Sequence, residues 1–544
     1  MKKIYKKITS QNFIPYFFKL LFSIAVITCF SDASYAQWTR KADGLRKRGE
    51  CSSVIYNGKV YIFGGFGEHP EIDSSNEVYN PVLDQWSFID SFPLNRRVTH
   101  MGTVLVDDKA WLIGGRATDN RGLVTSQVLI YDITNNQWSD GPRLEDPATG
   151  APLRWAAGGA VLLGRTIHIF GGLVDTFCNG DQNKYHLTLE VDEWAVDPVN
   201  NKWKNDLAPM PFGRNHLNAT VLNGLIYAIG GQVGHDCGGG KEVSYVQTYD
   251  PVTNVWTRLN DMLAPRSHAE GATFAMDGKI YIFGGQNASG NGYNVPLLFD
   301  PAANGGAGVW SKPPYNLPYN YLGMSAKYLN NQFIISHGSV LSIEDEKKET
   351  YIATVTRSIP YKLGFVGTCL NKTLPGGNIA VLKNWLYSIE GGVSYTLASN
   401  MPWVTISKNA AGAVNKQGAE IEVTVNTSGL ADGSYTATIT ATPGSNTPAF
   451  SGTSFCVNII VTSSAYSLSV ITNGNGSVTK SPDQASYLPG TNITLSAQPA
   501  TDQGFTGWTG DTTSASNPLT VVMNLSKSLT ATFIPATVNY TLSL

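Results

Sequence analysis

Five arginines recur at one place in a repeated phrase: Arg48, Arg97, Arg154, Arg214 and Arg266 each stand 17 to 19 residues before the second glycine of a Gly-Gly pair. A sixth copy offers Asn320 and Tyr321 instead. A guanidinium is a planar fork of fixed donors that matches a carboxylate, so a ring of five predicts a site for carboxylates or for sugars bearing them. Arg48, Arg97, Arg154, Arg214, Arg266 and Tyr321 are therefore the candidate ligand-binding residues. The competing reading is that arginines here brace loop carbonyls and neighbouring segments. Glu50 and Glu270, close behind two of them, are the acids that could exchange protons with a bound sugar acid. His100, His216 and His268 follow the arginines by two or three residues. Their recurrence at one repeat position predicts packing and hydrogen bonding at junctions, not metal ligation, and no metal or cofactor is expected.

The element that positions these groups is an apolar strand ending in Gly-Gly. It reads VYIFGG to Gly65, AWLIGG to Gly115, IHIFGG to Gly172, IYAIGG to Gly231 and IYIFGG to Gly285, with a worn copy, FIISHG, to Gly338. Asn57-Gly58, Asn223-Gly224 and Asp277-Gly278 precede such strands and suit the positive φ of a two-residue hairpin, so strands a and b form a tight hairpin. A third strand ends at Tyr79-Asn80-Pro81, Tyr131-Asp132, Val196-Asp197-Pro198, Tyr249-Asp250-Pro251 or Phe299-Asp300-Pro301, and a short turn leads to a tryptophan on strand d. Four short strands repeated about every 50 residues resemble the kelch repeat. Residues 37–358 are thus similar to the kelch family of β-propellers.

That resemblance implies an all-β chain with six blades. Trp86, Trp138, Trp203, Trp256 and Trp310 serve five copies, and the sixth lacks a following tryptophan, so Gln37–Arg40 with Trp38 is expected to add its outer strand beside Tyr351–Arg357 and close the ring. Strand direction puts the d–a junctions and the long b–c loops on one face. There the five arginines would circle the channel mouth, walled by loops carrying His69, Tyr185, His186, His235, Asp236 and Tyr293.

Residues 1–36 carry lysines at 2, 3, 6, 7 and 19, then the apolar run 20–30, then Ser34-Tyr35-Ala36, the pattern of a secretion signal cleaved after Ala36. Acylation at Cys29 fits less well, because Thr28 stands where a small Gly or Ala is usual. Loss of this segment moves the formal charge from −2 to about −6, which excludes a polycation for nucleic acid, and no transmembrane anchor is expected in the mature chain. Five cysteines remain. Cys178 and Cys237 lie six residues beyond Gly-Gly in neighbouring blades and are expected to pair, Cys369 and Cys456 could join the ends of the next domain, and Cys51 would be buried and inert.

Beyond Ser358 the strands change grammar: MPWVTIS at 401–407, EIEVTV at 420–425 and GSYTATITAT at 433–442 predict a β-sandwich over 361–463. The Trp403 strand and the SGLADGSYTATI phrase resemble the BACON-type immunoglobulin-like modules of secreted bacterial proteins. Residues 464–537, with PGTNITLSAQP, FTGWTGD and LTATF, are similar to a divergent internalin-type B-repeat. Tyr466–Val470 returns as Tyr540–Leu544, so 538–544 reads as the start of a second, truncated repeat. Trp403, Phe505 and Trp508 are expected to be core aromatics.

Three functions are compatible with these readings. The first is a secreted or cell-surface bacterial binding protein whose ring captures an acidic glycan or protein ligand. The second is a cofactor-free enzyme, because secreted six-bladed kelch rings include a sialic-acid mutarotase family, in which Glu50 and Glu270 would serve as acid and base. The third is a structural spacer. A copper radical oxidase is excluded, because no cysteine is placed for its tyrosine cross-link.

Overall fold

A computed structural model describes residues 37–536 apart from 69, 118–123, 175–184, 235–239, 341–344, 356–362, 389–391, 416, 445–452, 463–465 and 488–489. The chain divides into two compact units, the first dominated by residues up to 362 and the second by those that follow. The signal-like segment 1–36, the terminal repeat 538–544, His69, His235, Asp236, Cys178 and Cys237 lie outside the described residues.

The first unit is a ring of six sheets. Blade 1 orders its strands Ser52–Tyr56, Lys59–Phe63, Asn76–Asn80 and Gln85–Ile89 from the axis outward, and blades 2, 4 and 5 repeat that four-stranded order. The innermost strands touch in the sequence Ser52–Tyr56, Gly102–Val106, Gly159–Leu163, Asn218–Leu222, Thr273–Met276 and Ser325–Leu329, and the last returns to the first. Blade 6 takes its outer strand from the other end of the unit: Thr39 pairs with Ile352 and Arg40 with Tyr351.

Six indoles tie the circle together. Trp86 donates to Ala42 O, Trp138 to Asp90 O, Trp203 to Pro142 O, Trp256 to Ala208 O, Trp310 to Asn260 O and Trp38 to Asn316 O, at 2.7–3.3 Å. Each acceptor belongs to the preceding blade, and Ala42 belongs to blade 6 through its N-terminal strand. An indole packed between blades finds an acceptor for its N–H, and the same bond made six times sets the blade spacing.

Gly-Gly is required where blades approach. Gly64 and Gly230 have φ of +55° and +60°, and a Cβ on either would stand 2.2 Å from the carbonyl of Val98 or Arg266 in the next blade. The sixth copy escapes this because the facing segment carries Gly44, whose absent Cβ leaves room for the His337 imidazole. His337 keeps the left-handed backbone, φ +57°, and its Nε2 lies 3.3 Å from Glu77 Oε1 of blade 1.

Blade 3 departs from the expected pattern. Its third strand is His186–Glu190, and Val191–Val196, placed by the sequence at the strand end, is a helix. Asp192 and Glu193 sit in its first turn, where they complement the helix dipole, and the outer position is held by a single bridge from Thr188 to Lys204.

In the second unit, two sheets of four and five strands cover Leu363–Thr462, with alternate residues such as Ile421, Val423, Val425, Ala437, Ile439 and Ala441 buried. Cys369 and Cys456 are disulfide-bonded across paired parallel strands, Cα to Cα 4.4 Å. Two three-stranded sheets then span Leu468–Pro535 around buried Trp508, Tyr487 and Phe533. Trp403 and Phe505 are half-buried. No helix among the described residues is long and apolar enough to cross a membrane.

Candidate functional site

The expected ring of ligand-binding arginines is corrected by burial. Arg48 and Arg214 are 0% exposed and Arg266 1%. Each turns inward and donates to the first glycine carbonyl of its own blade: Arg48 to Gly64 O at 3.0 Å, Arg214 to Gly230 O and Arg266 to Gly284 O at 2.7 Å. Arg48 also pairs with Glu77 at 2.8 Å, and the Arg266 guanidinium lies 4.1 Å from the centre of the Tyr293 ring. A carbonyl in a left-handed Gly-Gly turn cannot join the strand ladder, and the arginine supplies its donor. Bracing therefore accounts for these three.

Tyr321 is likewise 1% exposed, in a short strand paired with Ser339–Val340, and is no surface ligand group. His186, expected in a loop, is a buried strand residue with its Nε2 3.0 Å from His168 Nδ1. Burial holds both imidazoles below the usual histidine range. Arg97 and Arg154 are the two of the five that reach solvent. In blade 2 the fully buried guanidinium is Arg116, directly after Gly115.

The two glutamates meet in a different place, the axial channel. Six residues, one per blade, enter the innermost strands with left-handed backbones: Glu50, His100, Ala157, His216, His268 and Gly323, φ +45° to +57°. Their main chains bond around the axis, with Glu50 N donating to Gly323 O, Ala157 N to His100 O, His216 N to Ala157 O and Gly323 N to His268 O. Non-glycine residues hold this conformation at a cost, on the order of 1 kcal/mol each, and keep it where the surroundings over-determine it. Ala157 and Gly323 show that the turn serves the ring. The four ionisable residues add chemistry to it.

These side chains line a cavity of about 170 Å³ that draws residues from all six blades. His100 Nε2 lies 2.6 Å from Glu50 Oε2, and His268 Nε2 lies 3.6 Å from Glu50 Oε1. Neither Glu50 oxygen accepts a well-aligned hydrogen bond from the described residues. His216 and His268 stack with centroids 3.9 Å apart, and His216 Nδ1 is 3.5 Å from Glu270 Oε1. Glu270 begins a short 3-10 turn, and burial raises its carboxyl to about 7, despite the opposing pull of His268. Lys327 lines the wall and donates to Gly271 O at 2.8 Å. Cys51 is also there, its thiol raised by burial to about 12, so it is a poor nucleophile. The histidine register is legible in the sequence, which predicts junction packing for it. Its left-handed turn toward the axis is what places it in the channel. No group of three or more His, Cys, Asp and Glu suited to a metal occurs among the described residues.

Residues 17–295 match the family described as Attractin/LZTR1 beta-propeller, and residues 466–537 match the Divergent InlB B-repeat domain. Kelch-like protein terF of Aspergillus terreus is 26% identical over 262 residues, 46% of this chain and 53% of that protein. Kelch domain-containing protein 3 of Rattus norvegicus is 26% identical over 304 residues, 51% of this chain and 73% of that protein. The chain thus spans about half the length of the first of these relatives. The solved structure of YjhT aligns with a TM-score of 0.46 and 15% identity, covering 58% of this chain and 97% of that one.

Proposed function

We propose, for a chain that belongs to the Attractin/LZTR1 family of β-propellers, that the ring is a protein-binding module displayed outside the cell and that its ligand is acidic. The observation that carries this is the composition of the face formed by the d–a junctions. Leu94, Phe212 and Leu263 are 88, 61 and 55% exposed at three such junctions. Arg97 and Arg154 are exposed on the same type of junction. Apolar anchors interspersed with arginine are the composition of an interface core, and exposed large side chains at recurrent positions cost solubility unless a partner covers them. Export rests on the signal-like segment 1–36, and the BACON-like sandwich and the B-repeat are in this reading accessory modules of an extracellular protein.

An array of acidic peptides, neutral peptides and anionic glycans, probed with the full chain and with Arg97→Glu, tests the reading. Binding to acidic peptides that falls at least tenfold in the variant supports it. Binding untouched by the substitution rejects this face, and an inert array favours the spacer.

A second reading, a sugar-acid mutarotase, is favoured by one observation: Glu270, a carboxyl with a pKa of about 7, faces His216 in the channel. A group of that pKa can both give and take a proton at neutral pH. Size limits it. A cavity of about 150 Å³ takes benzene, so the channel at about 170 Å³ has room for a bare six-membered ring but not for a whole sugar acid with its substituents. Anomer exchange followed by proton NMR, abolished by Glu270→Gln, would establish the enzyme. Exchange at the buffer rate removes it.

A further inference from the structure

On the exposed face of blade 2 three guanidiniums from separate chain segments converge on one groove. Arg96 comes from the junction between blades 1 and 2, Arg143 from the end of strand d, and Arg154 from the junction between blades 2 and 3; the groove they line holds about 600 Å³. The size falls within the range of ligand sites and is more than three times the channel. Two of the guanidiniums are held in place. Arg96 donates to Gln127 Oε1 at 2.6 Å and to Asp140 Oδ1 at 2.8 Å, and Arg143 donates to Ser126 Oγ at 2.7 Å. Arg154 is exposed and makes no hydrogen bond or ion pair with any described residue. Three cations against the single carboxylate of Asp140 leave an excess of two positive charges, one on the held fork of Arg143 and one on the free fork of Arg154. The floor adds Val124 and Val128, and the Thr125 hydroxyl beside them has no hydrogen-bond partner among the described residues.

We infer that this groove binds the carboxylates of an extended acidic peptide, with Arg154 as the ligand contact and Arg96 and Arg143 as positioned supports. The inference rests on the binding reading above and gives it a location that burial removed from the channel mouth. A peptide fits better than a glycan for two reasons. The apolar floor suits side chains between the acidic ones. The groove also adjoins the outer strand Gln137–Asp140, which pairs only on its inner side among the described residues and offers main-chain donors and acceptors to an extended chain. Bidentate arginine–carboxylate contacts then supply specificity as well as attraction.

Fluorescence anisotropy with the full chain tests this, using a labelled octapeptide of alternating Asp and Val, its Asn and Val counterpart, a hyaluronan octasaccharide and sodium sulfate. The expected result is binding of the acidic peptide alone, weakened at least tenfold by Arg154→Glu and about threefold by Arg154→Lys, which keeps charge but loses the fork. Lys312→Glu, exposed in blade 5, is expected to leave it unchanged. Circular dichroism and melting temperature of each variant exclude misfolding, which an exposed unpartnered arginine gives no reason to expect. Acidic-peptide binding that responds to Arg97→Glu but not to Arg154→Glu would overturn the groove and leave the wider face intact. Absence of any acidic-peptide binding overturns both. Capture of the octasaccharide through Arg154, with the peptide ignored, overturns the peptide class.

Discussion

Glu77 and Glu270 show how place decides what one side-chain type does. Burial alone would raise the Glu77 carboxyl, but His337 and then Arg48 overcome it and hold the group at about 2, with a further bond from Leu45 N at 2.7 Å. An acid whose folded pKa lies below its ordinary value of 4.5 stabilises the fold above that pH, and the contribution is lost as pH falls from 4.5 toward 2. The loss is on the order of 3 kcal/mol, and Glu77→Gln should flatten that acid limb in urea melts while destabilising the protein at pH 7, because buried Arg48 loses its close ion pair and keeps only Asp73 at 3.8 Å. Glu270 runs the other way. Its folded pKa of about 7 lies above 4.5, so stability declines as pH rises from 4.5 to 7. The side chain is 35% exposed, so solvent screening reduces the effect to the order of 1 kcal/mol. Glu270→Gln is expected to be as stable as the parent at pH 5 and more stable at pH 8; a parent that gains stability over that range, with the variant following it, would contradict the assignment. The spacing of Glu270 behind Arg266 marks it as a candidate proton-exchanging acid, but its burial and the role of Glu77 are not legible from residue type and spacing. Glu77 carries no repeat signal, and the arginine beside it reads the same in sequence whether it points at a ligand or at a carbonyl.

At the scale of elements, repetition made the ring legible. The hairpin dipeptides, the Gly-Gly strands and the tryptophans recur because each blade meets the same neighbour in the same way. The strongest of these constraints is the first glycine. Gly230→Ala puts a methyl 2.2 Å from Arg266 O on a backbone at φ +60° and should cost roughly 2–4 kcal/mol. Gly290→Ala, at φ +80° with only Gln286 Nε2 nearby at 3.8 Å, carries the backbone term alone, about 1–2 kcal/mol. Thermal melts of the two variants measure the difference, and equal losses would mean that blade contact at Gly230 is not tight. Elements outside the repeat were less legible. Val191–Val196 lies where the phrase calls for a strand end, yet its six residues have room to close a helical turn, and no period-two pattern opposed it. In sequence His337 marks the sixth copy as worn. It is tolerated because Gly44, far away in sequence, gives up its own side-chain volume.

At the scale of the whole ring, the seam between the last blade and the first is sealed by a strand of two residues. Thr39–Arg40 completes blade 6, Trp38 packs edge-on against Phe283 at 6.2 Å, and Ala42 O accepts the Trp86 indole at 3.0 Å. Main-chain contact between the first and last blades is present without it, through Glu50 N to Gly323 O and Gly338 N to Arg48 O. The N-terminal strand is therefore a latch on a ring that already meets, and its removal should loosen the seam before it opens the circle. Without residues 37–42, blade 6 keeps three strands, Trp86 loses one acceptor while Thr350 Oγ1 remains at 3.1 Å, and an apolar edge at Phe283 is uncovered. The combined loss is about 3–5 kcal/mol. Hydrogen exchange should accelerate first in Thr350–Thr354 and Gln332–Ser336, while Gly159–Leu163, three blades away around the ring, keeps its protection until global unfolding. Uniform acceleration in all six blades would instead mean that the ring unfolds as one unit whose stability the latch controls. Unchanged exchange in blade 6 would mean that the strand contributes nothing to closure.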